Sequence, residues 1–255
     1  MRLTPMAEPL LSVRGLQTHF ITQEGTIRAV DGVDFDVFEG RTLGLVGESG
    51  CGKSVTARSV LGIVEAPGKV VGGQMLLRTQ AGEAVELSKL APDSAAYRAI
   101  RGPEIALIFQ EPMASFSQYY TIGNQIMESV RLHMGMDKRA ARARAIELLD
   151  MVGVPQPSRR VDEYPFELSG GLRQRVMIAM ALSCDPRILF ADEPTTALDV
   201  TTQAQILDLL RDLQNKRGLA IVLITHDMGV IAEMAHDVSV MYLGRAVETG
   251  PVADI

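Results

Sequence analysis

The sequence predicts an α/β fold with an antiparallel β-region near its N-terminus and a helical insertion in its middle. Short, continuous apolar runs alternate with helical segments, which is typical of a parallel sheet buried on both faces. An earlier stretch alternates apolar and polar residues, and residues 121–152 are rich in helix-forming residues. These three observations indicate the three parts of the architecture.

The antiparallel region is predicted from residues 10–20 and 28–38, where apolar and polar residues alternate. In the second segment Phe35 and Val37 fall on one face. A turn at residues 24–25 contains glycine and separates the two segments. We therefore expect two antiparallel strands joined by this turn.

The parallel sheet is predicted from apolar runs that are short enough for strands and lack alternation. The expected strands are Thr42–Val46, Glu104–Phe109, Arg187–Ala191 and Ala220–Thr225. Helices are expected over residues 53–64, directly after the first strand, and 201–217, between the last two. The repetition of strand, helix and strand indicates an α/β core.

The helical insertion is predicted from apolar residues at helical spacing, such as Ile122, Ile126 and Val130. We expect one domain over residues 1–255, with the core and β-region at about 1–110 and 186–255 and the helical part at about 111–185. The basic run that begins at Lys138 is interpreted as a solvated helix face, with a partner-docking role as the alternative.

Composition narrows the class of protein. The 255 residues are 47% apolar and 22% charged, as in a globular domain, and the net charge of −6 argues against nucleic-acid binding. Two cysteines, Cys51 and Cys184, lack the spacing of a metal or redox motif. The N-terminal residues do not resemble a secretion signal, and no run approaches the ~20 apolar residues that span a bilayer. Any association with a membrane is therefore expected to be peripheral.

A glycine-rich segment between the first buried strand and the following helix fits the pattern G-x-x-x-x-G-K-S. Backbone N–H groups of such a loop surround phosphate oxygens, and the helix N-terminus adds partial positive charge. The lysine reaches the β- and γ-phosphates and the last serine supplies an oxygen to Mg²⁺. The predicted nucleotide-binding residues here are Gly47, Ser49, Gly50, Cys51, Gly52, Lys53 and Ser54.

Two adjacent carboxylates, Asp192 and Glu193, follow another apolar run. Ligands of open α/β sheets bind at the carboxyl ends of the strands. We expect Asp192 to hold Mg²⁺ and Glu193 to orient or deprotonate the attacking water. The alternative is an acidic pair that caps a helix, which is less favoured because the phosphate loop lies upstream.

The segment Leu168–Arg175, LSGGLRQR, resembles the signature motif of ABC ATPases. Ser169, Gly170 and Gly171 would form a second anion-binding helix start. In that family this motif faces the γ-phosphate bound by the other subunit. The resemblance implies a P-loop NTPase (RecA-like) core with an antiparallel β-subdomain and an inserted helical signature subdomain.

Other family elements occur in the expected order. Phe20 is similar to the aromatic residue that stacks on adenine, and Gln110 resembles the glutamine that senses Mg²⁺ and water. Residues 197–199, Ala-Leu-Asp, resemble the loop by which subunits contact each other's sites, so Asp199 is expected to contact nucleotide. His226 resembles the histidine that contacts the γ-phosphate. Glu193, Gln110 and His226 are thus the expected catalytic residues.

The longer segments IFQEPMASF, YPFELSGGLRQRVMIAMAL and ADEPTTALDVTTQAQIL are similar to the dipeptide and oligopeptide branch of bacterial ABC importers, which also includes nickel and glutathione systems. The resemblance implies ATP and Mg²⁺ as ligands. The implied partners are two transmembrane permeases, a paralogous ATPase subunit and, indirectly, an extracytoplasmic binding protein. The implied location is the cytoplasmic face of the bacterial inner membrane.

Two other functions stay open at this point. One is an ABC ATPase that acts in DNA repair or translation, although such proteins carry coiled coils or a second cassette. The other is a P-loop kinase or regulatory module. One segment also departs from the family, because residues 114–120 lack its usual Leu-Asn-Pro. We interpret Tyr119 and Tyr120 there as core residues in preference to interface residues.

Overall fold

The computed structural model describes residues 8–196 and 198–255. The first seven residues lie outside the described residues, and part of the expectation about secretion depends on them. Ala197 of the predicted subunit-contact loop also lies outside the described residues. The strands are β1 Leu11–Thr22, β2 Gly25–Val37, β3 Thr42–Val46, β4 Gly68–Arg78, β5 Ala84–Glu86, β6 Ile105–Ile108, β7 Ile188–Asp192, β8 Ala220–Thr225, β9 Asp237–Tyr242 and β10 Arg245–Pro251. The helices are α1 Lys53–Val60, α2 Ala95–Ile100, α3 Pro112–Ser115, α4 Ile122–Met134, α5 Lys138–Met151, α6 Pro157–Arg160, α7 Gly170–Ala181, α8 Val200–Arg217 and α9 Met228–Met234.

The antiparallel sheet has the strand order β2-β1-β4-β5. The predicted hairpin is confirmed, because β1 pairs with β2 from Leu11 and Val37 at one end to Thr22 and Gly25 at the turn. One face of β1 is buried, and its Thr18 hydroxyl lies 2.7 Å from the Ser59 hydroxyl of α1. This sheet therefore packs over the helix that follows the glycine-rich loop.

The second sheet has the order β10-β9-β3-β8-β7-β6, and the pairs from β9 to β6 are parallel. Strands β3, β7 and β8 are buried along their whole length, as the continuous apolar runs predict. Because the strands are parallel, the carboxyl ends of β3, β8, β7 and β6 meet at one edge. The segments that follow these strands carry most of the predicted site residues.

The two faces of the parallel sheet bury different cores. Along β8, Ile221 and Leu223 pack with the helices of the insertion, whereas Val222 and Ile224 pack with α1 and the antiparallel sheet. This alternation follows from the period of two along a strand. The sheet is thus the middle layer between the helical part and the β-region.

Helices α3 to α7 lie between β6 and β7 in the chain, where the insertion is predicted. The basic run lies on α5, but Arg144 is mostly buried and binds Asp185, so the interpretation as a solvated face holds only for part of the run. The prediction that Tyr119 and Tyr120 belong to the core is wrong, since their exposed fractions are 88% and 59%. Both precede α4 in a turn whose polar groups bind the Gln125 amide, so the rings extend outward.

Candidate functional site

The glycine-rich loop joins β3 to α1 and closes around its own lysine. Lys53 is 5% exposed, and its Nζ donates to the carbonyl oxygens of Gly47, at 2.6 Å, and Glu48, at 2.8 Å. Gly52 precedes the helix with φ 106°, a conformation that L side chains rarely adopt. A Cβ at Gly52 would also collide with the Ala29 carbonyl oxygen. Both conditions explain why glycine is required at this position.

The loop is supported from behind by the turn between β9 and β10. The Gly244 N–H donates to the Cys51 carbonyl oxygen at 3.0 Å, and a Cβ at Gly47 would meet the Met241 carbonyl oxygen. Cys51 itself is buried, and its sulfur fills the space beside Gly47. The loop is therefore rigidly held by its neighbours before any ligand binds.

Ser54 and Asp192 meet at the end of β7. The Ser54 hydroxyl donates to Asp192 Oδ1 at 2.9 Å, and the Asp192 side chain is buried. Burial raises the pKa of the Asp192 carboxyl, and the Ser54 hydrogen bond opposes that shift. A buried carboxylate beside a hydroxyl is an oxygen donor set of the kind that Mg²⁺ prefers, and a bound cation would offset the cost of burying the charge.

Glu193 is the centre of a polar cluster at the same edge. Its Oε2 accepts from Gln110 Nε2 at 3.1 Å and from the Thr196 hydroxyl at 2.8 Å, and its Oε1 lies 3.2 Å from His226 Nδ1. The backbone there has φ 47°, and the Glu193 N–H donates to the Ile224 carbonyl oxygen at 2.8 Å. The turn therefore aims the carboxylate across the ends of β6 and β8.

The environment keeps the Glu193 carboxylate ionised. Burial alone would raise the pKa of Glu193, but the hydrogen bonds from Thr196 and His226 outweigh that effect and hold the pKa below its ordinary value. A carboxylate in this state can accept a proton or orient a water molecule. Sequence reasoning places Gln110, Glu193 and His226 here, but it missed Thr196, because a threonine two residues after a proline carries no signal of its own.

The Ser169–Gly171 segment begins α7 and is open to solvent. Ser169 occupies the N-cap position, and its hydroxyl makes no capping hydrogen bond with any part of the chain that the structure describes. Ser169 and Gly170 are exposed, and no described atom lies within 4 Å of a Cβ placed at Gly170. Across residues 8–196 and 198–255, no hydrogen bond joins this segment to the glycine-rich loop. The structure therefore does not bring the two predicted phosphate-binding segments together within one chain.

Asp199 lies beside the start of α7 and caps α8. Its two carboxylate oxygens accept from the Thr202 backbone N–H, at 3.0 Å, and the Thr202 hydroxyl, at 2.6 Å. The Thr202 hydroxyl bond is the main reason that the pKa of Asp199 lies below its ordinary value. Within the chain Asp199 is thus an N-cap residue, away from the Glu193 cluster.

Phe20 lies at the end of β1, on the same face as Thr18 and so on the side of α1. Its partly buried ring lies beside Gly68 of β4 and near Val64, which follows α1. These neighbours place the ring near the C-terminal end of α1, whereas the glycine-rich loop precedes the N-terminal end of that helix.

Comparison with known families identifies the family in which the phosphate loop, the signature-like segment and the Glu193 cluster occur together. The family model described as ABC transporter matches residues 30–196, which is more than half of the chain. The chain belongs to the ABC transporter family. Its membership makes it an ATPase of the ABC type, and the order of the predicted motifs along the chain agrees with this assignment.

Several curated relatives of this ABC cassette are about half identical to it. A Brucella melitensis protein named as a peptide import ATP-binding protein is 51% identical, over 97% of this chain and 73% of the relative. The dipeptide transport ATP-binding protein DppD of Escherichia coli is 48% identical over 94% of this chain and 72% of its own length. DppD of Bacillus subtilis is 47% identical, over 97% of this chain and 72% of the relative.

Solved structures confirm the predicted fold class, a P-loop NTPase core with β and helical subdomains. The ABC cassette MJ0796, in a dimeric post-hydrolysis state bound to ADP and phosphate, superposes with a TM-score of 0.82, at 26% identity over 95% of this chain and 98% of that one. CbiO1 of Clostridium perfringens, part of the transporter complex cbiONQ, has a TM-score of 0.77 at 25% identity, over 97% of this chain and 90% of that one. In the described residues of this cassette, no helix is long and apolar enough to cross a membrane.

Proposed function

We propose that this cassette is the ATP-hydrolysing subunit of an importer for dipeptides, oligopeptides or a related small solute. The observation that carries the proposal is the division of the site: the Glu193 cluster and the phosphate loop lie together, whereas the Ser169–Gly171 segment points to solvent elsewhere. A second cassette is needed to unite the two parts. The peptide specificity is supported by the names of relatives about half identical over nearly the whole chain.

The phosphate loop binds ATP. Its backbone N–H groups and the N-terminus of α1 attract the phosphates, and Lys53 exchanges its two carbonyl partners for phosphate oxygens. Phe20 stacks on the adenine ring from the side of α1. The remaining loop residues that contact phosphate are those expected from the motif, Gly47, Ser49, Gly50, Cys51, Gly52 and Ser54.

Glu193 orients and deprotonates the water that attacks the γ-phosphate. Its lowered pKa keeps it in the basic form, and the contacts with Gln110 and His226 fix its position. Ser54, Asp192 and Gln110 would hold Mg²⁺. When bound, Mg²⁺ neutralises charge on the β- and γ-phosphate oxygens.

The second cassette completes the site. Ser169, Gly170 and Gly171 of one protomer donate hydrogen bonds to the γ-phosphate held by the other, and Asp199 contacts the partner's nucleotide site. Charge-assisted hydrogen bonds to γ-phosphate stabilise the closed dimer, and hydrolysis removes them. The partners are a paralogous ATPase subunit and two transmembrane permeases. The cassette binds them at the cytoplasmic face of the inner membrane. An extracytoplasmic binding protein delivers the solute.

The first experiment replaces the proposed base. With the paralogous ATPase subunit present, Glu193→Gln should lower ATP turnover about 10²–10⁴-fold and should accumulate an ATP-dependent dimer that size-exclusion chromatography with light scattering detects. Glu147→Gln, at an exposed position on α5, is the matched control and should keep the parent's turnover and the parent's ATP dependence of dimer formation. Full turnover by protein that stays monomeric at every ATP concentration would refute the divided site.

The second experiment tests the transported solute. The permeases, the paralogous ATPase subunit and the binding protein encoded beside this chain are reconstituted with it in vesicles, and uptake of a labelled dipeptide, a tetrapeptide and Ni²⁺ is compared. We expect peptide uptake that requires ATP and stops with Glu193→Gln. Uptake of Ni²⁺ alone would contradict the peptide assignment and leave the importer assignment intact.

A further inference from the structure

Thr202, in the first turn of α8, contacts both segments that are expected to face the partner cassette. Its hydroxyl donates to Asp199 Oδ2 at 2.6 Å, while its backbone N–H donates to Oδ1 at 3.0 Å. Its methyl group lies against the start of α7, because a Cβ placed at Gly171 would be only 2.9 Å from Thr202 Cγ2. One half-buried side chain therefore bridges Asp199 and the signature segment.

The two contacts of Thr202 restrict the segments in different ways. The hydroxyl and backbone bonds engage both Asp199 oxygens, so they fix the direction of that carboxylate. The methyl contact sets the distance between α8 and the Gly171 backbone, where a larger residue would not fit. A second contact between α7 and α8, from Arg175 Nη2 to Gln205 Oε1 at 3.0 Å, supports the same packing one turn further on.

We propose that Thr202 is a positioning residue that couples the signature segment to Asp199, so that both approach the partner's nucleotide as one unit. The inference rests on the proposed function, since it assumes that the two segments meet ATP held by a second cassette. Thr202 itself does not touch the nucleotide. Its effect is therefore expected in the closing of the dimer and not in the binding of nucleotide by one cassette.

The test measures ATP-dependent dimerisation with the paralogous ATPase subunit in a Glu193→Gln background. Thr202→Val keeps the branched shape and loses the hydroxyl, Thr202→Ser keeps the hydroxyl and loses the methyl, and Thr202→Ala loses both. The ATP concentration at half-maximal dimer should rise about tenfold or more for Thr202→Ala, about fivefold for Thr202→Val and about twofold for Thr202→Ser. Thr201→Val, at the exposed neighbouring position, is the matched control and should stay within about twofold of the parent.

Two further measurements separate coupling from a general loss of structure. Binding of fluorescent ADP to the monomer should be the same in all variants, because Thr202 makes its contacts with Asp199 and Gly171 and not with the phosphate loop. The unfolding temperature should fall by no more than about 4 °C, as expected for the loss of one hydrogen bond or one methyl contact. A parallel loss of ADP binding would overturn the proposal, as would Thr202→Ala dimerising at the parent's ATP concentration. If the Glu193→Gln parent itself does not dimerise, the proposed function fails first, and that result is distinct from failure at Thr202.

Discussion

The phosphate loop and the signature segment are both glycine-rich and both begin a helix, yet they differ in how they are held. The loop is closed: Lys53 is bonded to loop carbonyls, and Gly244 supports Cys51 from behind. The signature segment is open, since Ser169 and Gly170 are exposed. A helix N-terminus attracts anions in both places. This difference supports the proposal that one segment binds nucleotide within the chain and the other meets the nucleotide held by a partner.

The largest expected effect comes from adding a methyl group to each segment. Gly52→Ala should lower the free energy of unfolding by about 3 kcal/mol, because φ is 106° and the new Cβ would collide with the Ala29 carbonyl oxygen. Gly170→Ala has no such contact with any described atom and should leave the unfolding free energy nearly unchanged. Urea denaturation measures both. Equal losses would show that the two segments are held alike.

A second prediction concerns the Ser169 hydroxyl. Ser169→Ala should lower ATP turnover of the assembled dimer about tenfold to hundredfold, because one hydrogen bond to the γ-phosphate is lost. Stability should not change, since the hydroxyl makes no capping bond with the described residues. The matched control is Ser94→Ala, whose hydroxyl accepts from the Tyr97 N–H at 3.2 Å and whose loss should cost about 1 kcal/mol of stability. Unaltered turnover in Ser169→Ala, together with a stability loss, would reverse the assignment.

The sequence predicts strands that are continuously apolar or that alternate regularly, and it misses a strand that has neither pattern. Thr42–Val46 and Ala220–Thr225 are observed at the predicted bounds because burial on both faces makes the run continuously apolar. Strand β4 was not predicted, since Val70 and Val71 are both exposed and glycines interrupt the alternation. Helix α1 ends at Val60, four residues before the prediction, where Gly62 turns the chain with φ 61°.

In the candidate site, too, the sequence predicts some features and misses others. Motif order predicts which side chains gather at the carboxyl ends of the strands, because the parallel topology brings those ends together. It does not predict the contacts of Thr196 or Thr202, which depend on the turn after Glu193 and on how α8 packs against α7. The Thr196 bond depends on the unusual φ of 47° at Glu193, and the Thr202 contact with Gly171 depends on tertiary packing, so neither leaves a pattern in the sequence.

A third prediction tests how Thr196 holds Glu193, the proposed general base. In Thr196→Val the hydrogen bond to Glu193 Oε2 is lost, so the pKa of Glu193 should rise towards its ordinary value. The ionised carboxylate is the active form, and turnover should therefore fall at a higher pH in the variant than in the parent. The acid limb of the pH profile of kcat measures the shift. Thr196→Ser should restore the parent profile, and a variant whose kcat falls equally at all pH values would argue against this role.

The smallest effect is expected behind the phosphate loop, at the far end of α1. The Tyr97 hydroxyl donates to the Val60 carbonyl oxygen at 2.8 Å, and burial raises the pKa of Tyr97 to about 12. The neutral phenol is thus favoured by folding, so its stabilisation is complete below the unfolded pKa of about 10 and is lost as pH rises towards 12. The loss should amount to about 2 kcal/mol.

Urea denaturation at pH values from about 9 to 11.5 measures this loss. The free energy of unfolding should fall more steeply with pH for the parent than for Tyr97→Phe, which cannot ionise. Tyr119→Phe, at a ring that is 88% exposed, should retain the parent's slope. A Tyr97→Phe protein with the parent's slope would show that ionisation at this position does not weaken the support of the loop.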